Sequence, residues 1–166
     1  MMRLLILSSL IYLVSLGAVA YFARPGTRRM MGALGGGVAA GLSLPLLLAL
    51  AEAQGWWRCP FLNLPHAPLV TFLGFTVSYA PIALVAWRIE RRFGWRGTAC
   101  SLAAVCVLGP PRDYAIATRY PELMVFGPGV APIAGNAAVY FVTVALTLAV
   151  MRLIAGPAAK DRLARS

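Results

Sequence analysis

Five apolar runs, separated by short segments rich in arginine, glycine and proline, make up most of the chain. They cover residues 4–22, 31–53, 69–87, 97–109 and 133–154. A helix needs roughly 20 apolar residues to cross about 30 Å of hydrocarbon, and four of the runs approach or exceed that length. The fourth does not: its uninterrupted part, residues 98–108, would rise only about 16 Å as a helix. Gly109, Pro110 and Pro111 close it, and proline inside a helix removes a backbone donor. The pattern therefore predicts a break there. Because proline is welcome in a first helical turn, a separate short helix should start near Pro111 and end before Pro121, lying at the membrane interface within segment 111–131. Gly127, Pro128 and Gly129 mark a second break before the last run.

Composition agrees with the runs. The 166 residues are 60% hydrophobic and 12% charged, far from the share of roughly 25% charged residues usual in soluble domains. The formal net charge of +10 is spread as bursts of arginine between apolar segments, which suits membrane orientation rather than a nucleic-acid surface. Cys59, Cys100 and Cys106 form no CxxC and no metal-ligand spacing.

The first run has two readings. Met1, Met2 and Arg3 before it, and Ala18, Val19 and Ala20 near its end, fit a cleaved signal peptide. It is longer than the usual h-region of about 7–15 residues, however, and Arg24, Arg28 and Arg29 follow, so a retained first span is the expectation. With the N-terminus outside, the inner segments hold Arg24, Arg28, Arg29, Arg88, Arg91, Arg92, Arg96, Arg152, Lys160, Arg162 and Arg165. The outer ones hold only Arg3, Arg58, Arg112 and Arg119. That asymmetry predicts five crossings of an inner, bacterial-type cell membrane, N-terminus out and C-terminus in the cytoplasm.

Candidate chemistry gathers on the predicted outer side. Asp113, Glu122, Glu52 and His66 are the groups that acid–base work would need, and Arg112, Arg119 and Arg58 are the cations that would hold an anion or a lipid headgroup. The opposing expectation is structural: Arg112 or Arg119 pairs with Asp113, Glu122 or Glu52 and fixes the broken segment. Gly32, Gly36, Gly37 and Gly41 form two small-xxx-small frames on the second run, where another helix could approach closely, from the same chain or from a partner. No HExxH, GxSxG, Walker or dinucleotide pattern is present, so the sequence calls for no cofactor and no metal.

These observations predict a single-domain, all-α polytopic membrane protein, residues 1–166, with five spans, the fourth broken. The leading functional expectation is a non-catalytic subunit or scaffold that packs with lipid, with itself or with a partner membrane protein, and not with nucleic acid. The alternatives are a membrane enzyme acting on an amphiphilic lipid or isoprenoid at the outer leaflet, and a small oligomeric transporter.

Overall fold

The computed structural model describes residues 2–158, with side chains from residue 7 onward. Its five helices are α1 (Met2–Ala23), α2 (Thr27–Ala53), α3 (Ala67–Phe93), α4 (Trp95–Arg119) and α5 (Ala131–Ala155). Among the described residues three helices, α2, α3 and α5, are long and apolar enough to cross a membrane, and the described part of α1, Leu7–Ala23, is apolar but shorter. Large apolar side chains stay exposed along the helices, among them Val14, Leu42, Leu46, Leu50, Leu69 and Leu153. Such a surface has no place in water but suits hydrocarbon.

α2, α3 and α5 form the centre, with α1 packed on α3 and α4 packed on α5 and α3. The glycines of α2 explain how close that centre is. A side chain at Gly32 or Gly36 would strike Ala155, Met151 or Thr147 of α5, and one at Gly37 or Gly41 would strike Thr76 or Phe72 of α3. The two small-residue frames therefore serve two different neighbours within this chain. Thr143 and Thr147 of α5 are fully buried beside them.

One end of the bundle gathers the arginines. Arg88 Nη1 donates to the carbonyl of Ala23 at 3.1 Å, Arg28 Nε to Ile154 at 3.0 Å and Arg29 Nη1 to Gly156 at 2.7 Å. They thereby satisfy carbonyls at the C-terminal ends of α1 and α5, which lack intrahelical partners. Arg152 pairs with Glu90 at 2.8 Å. A single residue, Gly94, joins α3 to α4 there, and its φ of 67° is open to glycine with little strain.

The opposite end carries the two longer connections. Trp57–Arg58 (β1) and Val125–Phe126 (β2) pair antiparallel, Trp57 opposite Phe126 and Arg58 opposite Val125, so a minimal ladder ties connection 54–66 to connection 120–130. The Trp57 ring lies edge-on to Phe126 at 5.8 Å, and Phe126 stacks on Tyr114 at 3.9 Å. Prolines do not keep connection 54–66 wholly irregular: Pro60 starts a short 3-10 helix, Pro60–Asn63, at the position where its missing donor is harmless.

The fourth helix corrects the expectation drawn from Gly109, Pro110 and Pro111. α4 runs unbroken through all three to Arg119, and no separate helix follows; residues 120–130 are a connection containing β2. The prolines remove the donors that would meet the carbonyls of Cys106 and Val107, yet their fixed φ is itself helical. Tertiary packing supplies what those bonds do not. Gly109 and Pro110 are buried, and the bare α-carbon of Gly109 receives the ring of Tyr140 from α5.

Candidate functional site

Asp113 lies six residues before the end of α4, about 9 Å below it at the helical rise. Its Oδ1 accepts from Arg112 Nε at 3.1 Å and Nη2 at 2.8 Å. Its Oδ2 accepts from the Tyr140 hydroxyl at 2.8 Å and from Asn136 Nδ2 at 3.3 Å. Arg112 Nη2 also donates to the Tyr140 oxygen at 2.7 Å, which closes the ring of contacts. All four lone-pair positions of the carboxylate are thus engaged.

The cluster borders a cavity of about 260 Å³. Leu44 and Leu48 of α2, Val70, Phe75 and Ile82 of α3, Val139 of α5 and Met124 give it apolar walls. Polar groups reach it from α1 (Ser8, Ser9, Tyr12) and α3 (Thr71, Ser78, Tyr79) as well as from Arg112, Asp113, Asn136 and Tyr140. Among the described residues, no acidic or basic side chain other than Asp113 and Arg112 lines it. The Thr71 hydroxyl is buried and has no hydrogen-bond partner among the described residues; Tyr79, 5% exposed, also lines the cavity. A buried hydroxyl without a partner is costly, so Thr71 is a place where a bound polar atom would be stabilising.

Of the residues singled out in the sequence, the structure joins Arg112 to Asp113 and leaves the others apart. Arg58 is exposed on β1, His66 is exposed just before α3, and Arg119 and Glu122 are exposed at and beyond the end of α4. Glu52 is half-buried near the end of α2. Among the described residues none of these five bonds to Arg112 or Asp113. Glu52 acts instead beside Cys59, whose thiol burial, Glu52 and Asp113 together push up to about 12. Among the described residues no three His, Cys, Asp or Glu side chains converge as metal ligands would.

Sequence reasoning did not single out Asn136 and Tyr140, because each lies in an otherwise apolar run, and it reads Thr71 and Tyr79 only as hydroxyls that back-bond to carbonyls or bridge helices. One signal was available: Asn136 and Tyr140 are four apart on the last span and share a helix face, which polar groups in a span rarely do without a partner.

The fold and site together define a helical bundle with membrane-length helices and an amphipathic cavity near one end. Comparison of the chain with protein families, curated proteins and solved structures gave no match.

Proposed function

We propose that this protein binds an amphiphile, a lipid or isoprenoid, with its polar head at Arg112 and its apolar part in the cavity on the outer side of the membrane. The carrying observation is the pairing of apolar walls with one polar cluster that keeps a binding edge free. Arg112 uses Nε and Nη2 within the protein, whereas among the described residues Nη1 makes no hydrogen bond. Held in this way, the guanidinium is oriented before a ligand arrives, which lowers the entropy lost on binding. The cavity belongs with small-molecule sites: mostly apolar, with few placed polar groups.

Two observations weigh against neighbouring readings. The glycine faces of α2 are filled by α3 and α5, so they offer little to a scaffold partner. The Asp113 carboxylate is fully engaged, and among the described residues neither a histidine nor a second acid lines the cavity, which favours binding over acid–base catalysis.

Gly74 provides the test, since it lines the cavity and an added β-carbon there would meet nothing within 4 Å. After mild detergent extraction, native mass spectrometry of wild type should show a retained lipid-sized mass, and Gly74→Phe should lower its occupancy by about tenfold. Equal retention by the two proteins would overturn the reading.

A further inference from the structure

We infer that the head group this cavity accepts is uncharged and carries carbonyl-type acceptors, rather than a phosphate; the inference rests on the amphiphile reading above. The first argument is charge. Asp113 already neutralises Arg112, and no other ionic side chain among the described residues lines the cavity. Arg58 and Arg119, the other arginines described at this end, do not line it. A phosphate would add one or two negative charges beside an ion pair that is already neutral, about 9 Å below the end of α4, where among the described residues no further cation lines the cavity to match them, and unmatched charge close to hydrocarbon is costly.

The second argument is the inventory of unused groups. Among the described residues the Nη1 of Arg112 makes no hydrogen bond and can only donate, the buried Thr71 hydroxyl holds a proton with no acceptor, and the Tyr79 phenol, a stronger donor than acceptor, lines the same cavity. Asp113, the strongest acceptor present, has nothing left to accept with. A ligand oxygen that brings two lone pairs and no charge meets this surplus of donors. An ester carbonyl of a glyceride and a ring carbonyl of a prenylated quinone share that chemistry.

Competition in native mass spectrometry separates the possibilities. The detergent-solubilised full chain is offered equal amounts of a diacylglycerol, the phosphatidic acid with the same acyl chains, and a prenylated benzoquinone. Wild type should hold the diacylglycerol or the quinone about tenfold more tightly than the phosphatidic acid, and the preferred one identifies the source. Asp113→Asn, nearly isosteric, leaves Arg112 uncompensated and should reverse the order between phosphatidic acid and its neutral counterpart. Tyr79→Phe should weaken the neutral ligand while leaving its exclusion of phosphatidic acid intact. Wild-type preference for phosphatidic acid, or an order that Asp113→Asn does not change, would overturn this inference and leave the cavity reading standing. Loss of all three ligands from wild type would overturn the cavity reading itself, and this inference with it.

Discussion

At the scale of single residues, the site depends on one absence and one hydroxyl. The absence is at Gly109, where an added β-carbon would collide with the Tyr140 ring. The hydroxyl is that of Tyr140, which accepts from Arg112 and donates to Asp113. Tyr140→Phe keeps the ring in place but removes one bond from each charged partner, and should lower stability by about 1–2 kcal/mol. Gly109→Ala forces the ring away and should cost about 1–3 kcal/mol as an overpacked contact. Thermal unfolding in detergent reads both, with Gly17→Ala as the comparison, since nothing lies within 4 Å of that position. If Gly109→Ala melts no lower than Gly17→Ala, the ring does not rest where the structure puts it. This pair also shows what a sequence hides. Arg112 and Asp113 stood out because charge beside paired prolines is conspicuous, whereas Tyr140 is one of three hydroxyls in a 22-residue apolar run, and only the fold brings it 27 positions back to Asp113.

At the scale of elements, apolar run length was a sound guide and proline was not. Runs 31–53, 69–87 and 133–154 each lie inside a helix long and apolar enough to cross a membrane, because burial and lipid exposure both demand the periodicity-free apolar composition these runs have. The fourth run misled because two adjacent prolines suggest a break when lost backbone bonds are weighed alone. Continuity of α4 is maintained by its packing on α5, which no local pattern encodes. The consequence is measurable at Pro111, which is exposed and so is free of packing obligations. In a continuous helix its replacement restores a backbone donor and relieves the ring's clash with the preceding turn. Pro111→Ala should therefore raise stability, by about 1–3 kcal/mol given the usual helix-interior penalty. Were Pro111 the first residue of a new helix after a break, the same change would be neutral or harmful. An unchanged or lowered melting temperature would count against the continuous helix.

At the scale of the whole molecule, the arrangement of charge and cavity makes orientation the question that decides access to the site. α1 starts at the end carrying the two long connections and α5 finishes at the arginine-rich end, so five crossings would put the termini on opposite sides. The orientation proposed from the arginine asymmetry would put the arginine-rich end in the cytoplasm and the cavity in the outer leaflet. Single cysteines at Pro128 and Arg92, both exposed and at opposite ends, test this with a membrane-impermeant maleimide. Cys100 and Cys106 should first be replaced by serine, being exposed and partly exposed. Cys59 can stay, because it is buried and its raised thiol remains protonated at labelling pH, and thiolate is the reactive form. In intact cells Pro128→Cys should label and Arg92→Cys should not until the membrane is opened. The reverse pattern would turn the molecule over, and the amphiphile proposed for its cavity would then have to come from the cytoplasmic leaflet.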